Sequence, residues 1–306
     1  MGMDDRDGWI WLDGQFVPWR EAKVHVLTHT LHYGLGVFEG IRAYRTPAGP
    51  ALFRLDDHLE RLFDSAHILA LDHGFERPAL AAACRDVLVH NGLDSGYIRP
   101  LFFLGAEKLG IDPAGTEVHA MIAAWPWRAY LGEGALEAGI RIKVSSFARH
   151  HVNVQMCRSK SVSTYANSIL ATREAKADGY DEALLLDTDG FVAEGAGENV
   201  FLVKRGVLYE PEITSALDGV TRRTVLELAG EMGLPTGARR ITRDELYCAD
   251  EVLFTGTAAE ITPVVEVDRR RIADGRPGPV TRELQRRYFA CVHGDDAGHR
   301  DWLTAV

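Results

Sequence analysis

Apolar and polar positions change period along the chain, and the changes outline its elements. Trp9-Ile10-Trp11-Leu12, then Asp13-Gly14, then Gln15-Phe16-Val17 predict a β-hairpin, because Asp-Gly suits a type I′ turn. Residues 37–44 are rich in β-branched and aromatic side chains and predict a strand. Over 55–71, Leu55, Leu59, Leu62, Ala66 and Leu69 recur at helical spacing, with Asp56 or Asp57 as N-cap. A second helix is expected over 78–91, stopped by Gly92, followed by strands at 97–104 and 118–124. The first half reads as a sheet with two helices, an α+β unit.

The run 126–139 holds Pro126, Gly132, Gly134 and Gly139 and is the best connector. Beyond it the pattern predicts a strand at 140–147, an irregular stretch, and a helix at 164–177 closed by Gly179. Next come a hairpin (182–186, Asp189-Gly190, 191–194), strands at 199–203 and 252–255, and a helix at 221–232 ended by Gly233. Strands and helices do not alternate regularly, so a doubly wound layout is disfavoured. The expected organisation is a smaller α+β domain over 1–125, an interdomain loop over 126–139, and a larger mixed α/β domain over 140–306 carrying the chemistry described below.

Charge and composition narrow the partners. The chain has 306 residues and a formal net charge of −10, which argues against nucleic acid or an anionic membrane as the main partner. No apolar run is long enough to span a membrane. The acidic start, Met3-Asp4-Asp5-Arg6-Asp7, lacks the apolar core of a secretory signal, and Arg6 stands where myristoylation wants Ser or Thr. Cys84, Cys157, Cys248 and Cys291 form no C-x-x-C pair and read as thiols of a reducing cytoplasm.

The common catalytic signatures are missing. Gly195-Ala196-Gly197 is not a dinucleotide fingerprint, because Val200 occupies the third glycine position. His25, His29 and His32 could be imagined on a metal, but a turn-rich aromatic segment favours structural roles, and no metal is expected. Lysine is scarce: Lys23, Lys108, Lys143, Lys160, Lys176 and Lys204 are all there are. Lys160 stands out in Arg158-Ser159-Lys160-Ser161-Val162-Ser163-Thr164-Tyr165, just before an amphipathic helix, where it could serve as a sheltered Schiff-base amine with a phenol five residues on. An ordinary solvated lysine is the competing reading.

Three further features could hold a ring nitrogen or an anion. In Phe191-Val192-Ala193-Glu194-Gly195-Ala196-Gly197-Glu198-Asn199 an apolar strand delivers a carboxylate and glycines turn the chain. Such a carboxylate can hold a protonated ring nitrogen; a tight hairpin with an exposed Glu is the alternative. Asp218-Gly219-Val220-Thr221 precedes a helix whose free N–H groups could bind phosphate, though Thr221 could equally be a plain cap. Gly256-Thr257-Ala258-Ala259 could aim successive N–H groups at an anion, or simply turn the chain.

In this order these features resemble the PLP-dependent class IV aminotransferases, and among them the branched-chain amino acid aminotransferases. The resemblance runs along nearly the whole chain. Its most specific pieces are His32-Tyr33-Gly34, Val37-Phe38-Glu39-Gly40-Ile41-Arg42, Tyr97-Ile98-Arg99-Pro100, Glu194-Gly195-Ala196-Gly197-Glu198-Asn199, Leu217-Asp218-Gly219-Val220-Thr221-Arg222, and Gly256-Thr257-Ala258-Ala259-Glu260-Ile261-Thr262-Pro263.

The resemblance implies the two-domain class IV fold and reversible amino transfer between Leu, Ile or Val and 2-oxoglutarate. It implies a pyridoxal 5′-phosphate Schiff base on Lys160, which then moves the proton at Cα. Glu194 would keep the pyridine nitrogen protonated and Tyr165 would bond the phenolic oxygen. Arg61, Leu217, Val220, Thr221, Gly256 and Thr257 would complete the cofactor site. Tyr97, Thr257 and Ala258 would hold the substrate α-carboxylate. Phe38, Tyr33, Tyr130 and Trp127 would wall the side-chain pocket, and Arg99 with the Tyr33 hydroxyl would take the glutamate carboxylate. Gly40 and Arg42 belong to the same block without an assigned role. The resemblance further implies a homodimer or trimer of dimers, with Tyr33 and the 108–111 loop serving the partner's site.

Two stretches depart from the family pattern. Val162-Ser163-Thr164 replaces the usual glycine and small amide residue after the lysine, and Arg149-His150-His151-Val152-Asn153-Val154-Gln155-Met156-Cys157 replaces a proline-containing run. Neither removes a group the chemistry needs. Competing activities within the class are D-amino acid aminotransferase, (R)-amine transaminase and aminodeoxychorismate lyase; a PLP-binding protein without turnover is the non-enzymatic alternative.

Overall fold

The structure is a computed structural model describing residues 2–127, 130–132 and 134–306; Met1 and positions 128, 129 and 133 of the expected connector lie outside the described residues. The chain forms two compact units, Met1–Trp127 with Ser159–Ser163 and Cys291–Val306, and Arg128–Arg158 with Thr164–Ala290. This differs from the contiguous division read from the sequence. The segment carrying Lys160 groups with the first unit, because hydrogen bonds tie it to a strand and a helix there.

In the first unit, β1 (Trp9–Leu12) and β2 (Gln15–Pro18) make the expected hairpin. Asp13 and Gly14 have φ of 47° and 93°, the two positive values a type I′ turn requires. A short helix α1 (His29–Tyr33) follows. The expected strand 37–44 is two strands, β3 (Gly36–Phe38) and β4 (Ile41–Thr46). Both pair with β6 (Gly96–Leu104). The break falls where Glu39 faces Pro100, which accepts the Glu39 N–H at 2.9 Å but has none to return. With β5 (Gly49–Phe53), β7 (Val118–Trp125) and the C-terminal strand Leu303–Ala305, eight strands among the described residues form an antiparallel sheet.

Helices α2 (Leu55–Ile68) and α3 (Arg77–His90) cover this sheet. Arg54, with φ of 52°, takes the N-cap position expected for Asp56 or Asp57. The two aspartates lie instead in the first turn, where they complement the helix dipole. Leu55, Leu59, Leu62 and Ala66 pack with Ile41, Leu52, Ile98 and Phe102. Each such leucine contributes about 1.5–3 kcal/mol by burial.

The second unit is built on a mixed sheet. Its strands are β8 (Ile140–Val144), β9 (Glu182–Leu186), β10 (Val192–Gly195), β11 (Asn199–Lys204), β12 (Val207–Pro211), β13 (Thr236–Arg239), β14 (Glu251–Gly256), β15 (Glu260–Val267) and β16 (Arg270–Arg271). The order is β10-β9-β8-β15-β14-β11-β12-β13, with β16 beside β15. β8 ends earlier than the sequence suggests, because Glu174 captures the Ser145 hydroxyl at 2.6 Å and the Ser146 N–H at 2.9 Å. Helices α4 (Ala135–Ala138), α5 (Tyr165–Ala177), α6 (Val220–Glu231), α7 (Arg243–Tyr247) and α8 (Pro279–Val292) complete the description.

Candidate active site

Lys160 sits in a strap held on two sides. Its N–H donates to the Ser65 hydroxyl on α2 at 3.0 Å, and its carbonyl accepts the Phe38 N–H from β3 at 3.1 Å. Ser159 donates to the Ser65 carbonyl at 3.2 Å, and Ser161 bridges to Val37. The ammonium lies 5.1 Å from the centre of the Phe38 ring. Lys108, Lys143 and Lys204 are ion-paired near the surface, and Lys176 bonds the Asp181 carbonyl. The departure residues form a turn of their own, in which Ser161 and Ser163 share a hydroxyl hydrogen bond at 2.8 Å.

Beside the strap, Glu39 is fully buried. Arg61 grips it bidentately, Nε to Oε1 at 2.6 Å and a terminal nitrogen to Oε2 at 3.0 Å, while His58 Nδ1 reaches Oε2 at 2.7 Å. Burial alone would raise the Glu39 pKa, but Arg61 and then His58 hold it well below the carboxylate range. Burial lowers the His58 pKa, with Glu39 opposing. His58 is therefore a neutral ring donating Nδ1–H. Glu39 and His58 were not singled out as site residues in the sequence. A charged residue inside an apolar run was the available signal.

One face of the first sheet gathers the expected substrate residues. Arg42 and Tyr97 are cross-strand partners, as are Tyr97 and Trp125. Trp127 stacks on Tyr97 at 4.6 Å. The Arg99 guanidinium lies 4.6 Å from the Phe38 ring centre and 5.2 Å from that of Tyr97, and donates to the Tyr97 hydroxyl at 3.3 Å. Its buried Nε has no hydrogen-bond partner, and among the described residues no carboxylate pairs with it. Gly40 now has a role: a Cβ there would stand 1.8 Å from the Tyr97 hydroxyl oxygen. Tyr33 ends α1, half exposed, with its ring 4.6 Å from His29.

In the second unit Glu194 is delivered by β10 and is buried, not the exposed hairpin residue of the alternative reading. Its Oε2 accepts the Leu217 N–H at 3.0 Å. Its Oε1 is ion-paired with Arg149 Nε at 2.6 Å, in a geometry that makes no hydrogen bond. Asn199 holds the Leu217 carbonyl at 2.8 Å. α6 begins at Val220 after Gly219, with both Val220 and Thr221 buried and no side chain capping its first turn. Gly256 ends β14, Thr257 and Ala258 lie in the turn joining it to β15, Tyr165 opens α5, and Tyr130 is exposed with its hydroxyl 4.0 Å from the Cβ position of Gly197.

The unmet Glu194 oxygen fits a protonated ring nitrogen, and the uncapped helix start fits a phosphate. The three histidines do not converge: His25 Nδ1 accepts the Leu27 N–H, while His29 and His32 face the Gly110 and Val26 carbonyls.

A sheltered lysine in the first unit and a buried carboxylate in the second are groups that a Schiff-base enzyme uses. The model of the amino-transferase class IV family matches residues 36–267, and the chain belongs to that family. It is 55% identical over its whole length, and that of its relative, to a branched-chain-amino-acid aminotransferase of Pseudomonas aeruginosa. It is 46% identical to the enzyme of that name from Escherichia coli, over 97% of each chain. Among solved structures, a T.th. branched-chain amino acid aminotransferase with pyridoxamine 5′-phosphate superposes with a TM-score of 0.95 at 48% identity, covering 98% of this chain and 99% of that one. The Escherichia coli enzyme gives 0.95 at 45%, covering 97% and 99%.

Proposed function

We propose that the chain is a branched-chain L-amino acid:2-oxoglutarate aminotransferase using pyridoxal 5′-phosphate. The observation that carries the reading is Arg99: a guanidinium laid against aromatic rings, with no carboxylate of the described residues to neutralise it. One such wall accepts an aliphatic side chain by burial and a glutamate carboxylate by charge. The names of the full-length relatives support it.

The cofactor, when bound, supplies an electron sink for the charge that develops at the substrate Cα. Lys160 holds it through Nζ and moves the Cα proton. Glu194 accepts the ring N–H, and Leu217 orients Glu194 through its backbone. Tyr165 donates to the ring phenolic oxygen. Arg61, held by Glu39, binds phosphate together with Val220, Thr221, Gly256 and Thr257. Tyr97, Thr257 and Ala258 take the α-carboxylate. Phe38, Tyr33, Trp127 and Tyr130 wall the side chain, and Gly40 makes room for the Tyr97 hydroxyl.

The working form is a cytoplasmic homodimer or trimer of dimers. The exposed Val24, Val26, Leu27 and Leu31 support an interface, and four free cysteines fit a reducing compartment. Among the described residues no helix is long and apolar enough to cross a membrane. The test is product analysis with L-leucine and 2-oxoglutarate, the active fraction being sized on a column. Glutamate formed in a species at least twice the chain mass is expected. Transfer from D-alanine but not L-leucine would overturn the substrate assignment.

A further inference from the structure

We propose that Ser65 is a positioning residue for Lys160: its side-chain oxygen, buried on α2, accepts the Lys160 N–H at 3.0 Å and so fixes where the reactive amine starts from. The inference rests on the role proposed above for Lys160.

The strap 159–161 lies between two elements of the first unit. Its backbone is fastened to β3 by the Phe38 N–H to the Lys160 carbonyl and by the Val37–Ser161 bridge. On α2, Ser65 makes two hydrogen bonds to the strap: its hydroxyl takes the Lys160 N–H and its carbonyl takes the Ser159 hydroxyl. A serine inside a helix commonly turns its hydroxyl back to its own preceding turn. Ser65 turns it outward to another segment. The residue is fully buried, so no water stands ready to replace it.

The position is set by the same helix face that holds Arg61. His58, Arg61 and Ser65 follow at i, i+3 and i+7, one stripe beside the packed leucines. The first two fasten on Glu39, and the third on the peptide of Lys160. A displacement of about 1 Å in a proton-transferring group can cost about 100-fold in rate, whereas substrate affinity depends on other side chains.

The experiment compares wild type, Ser65→Ala and Ser65→Thr, each loaded with pyridoxal 5′-phosphate and counted by bound cofactor. A single turnover with L-leucine, without acceptor, yields the rate of amino transfer and the leucine Kd separately. Ser65→Ala is expected to slow that step by about 10–100-fold with leucine and cofactor Kd within about threefold, and Ser65→Thr, which keeps the hydroxyl, to recover most of the rate. If Ser65→Ala does not fold, Ser65→Cys keeps the test, since a thiol is a weaker acceptor and must give an intermediate rate. An unchanged rate per bound cofactor overturns the inference, as does a loss of cofactor binding that accounts for all lost activity. Wild type that takes up the cofactor but makes no turnover with L-leucine indicts the functional reading, and the inference falls with it.

Discussion

Glu39 and Glu194 are both buried carboxylates, and their partners separate their roles. Glu39 is saturated by Arg61, His58 and its neighbour's backbone, so it can only hold others in place. Glu194 is ion-paired through Oε1 with Arg149 at 2.6 Å in a geometry that makes no hydrogen bond, so that oxygen can still accept a proton-bearing ligand. Arg99 is the matching case among cations. Losing a charge-assisted contact costs about 1.5–3 kcal/mol, or about 10–150-fold. Arg99→Ala is therefore expected to raise KM for glutamate and 2-oxoglutarate by about that factor while leucine changes by no more than about threefold. Steady-state kinetics on both substrates check this, and equal losses would contradict the two-natured wall. Lys160 and Glu194 stood out in the sequence because each is a reactive group in an unusual setting, and Arg99 was marked by the family resemblance. Glu39, His58, Ser65 and Arg149 did not, because their meaning lies in contacts with residues far along the chain, such as Ser65 with Lys160.

At the scale of elements, α2 shows how one helix serves both core and site. Its leucine stripe was legible from spacing alone, whereas the polar stripe beside it needed the fold to give it partners. The stripe also has a pH signature. Burial keeps folded His58 from protonating at its ordinary value of 6.5, and Glu39 stays charged below its ordinary 4.5. As pH falls through about 6.5 the unfolded chain takes up a proton that folded His58 refuses, and stability drops; below about 4.5 protonation of unfolded Glu39 adds a second loss. Thermal unfolding midpoints should fall from about pH 7.5 to about pH 5.5. His58→Asn, which can still donate to Glu39, should reduce that slope while leaving the loss below about pH 4.5. His73 and His150, also lowered by burial, keep some slope in the variant. An unaltered slope would contradict the neutral His58. The split of 37–44 at Glu39 has the same lesson: strand propensity was read correctly, but Pro100 opposite is a tertiary fact.

At the scale of the whole molecule, the two-unit class IV architecture was legible in ordered motifs rather than in periodicity. The hairpin at Asp13-Gly14, the helices α2 and α6, and the strands flanking Glu194 followed from local rules. The strands β12 and β13 and the helices α7 and α8 did not; Thr236–Arg239, at the sheet edge, pairs with the distant Val207–Pro211. Nor did periodicity show that the lysine strap packs with the first unit while its neighbours on both sides belong to the second. What unites these elements is the claim that Lys160 carries the cofactor and passes an amino group. The most direct test is the visible absorption spectrum of the purified protein with pyridoxal 5′-phosphate, before and after L-leucine, beside Lys160→Ala. Wild type is expected to show a bound-cofactor band that L-leucine converts to the spectrum of the aminated cofactor, and the variant no such covalent band. A wild-type protein that stays colourless with the cofactor, or a Lys160→Ala variant that turns over like wild type, would contradict that claim.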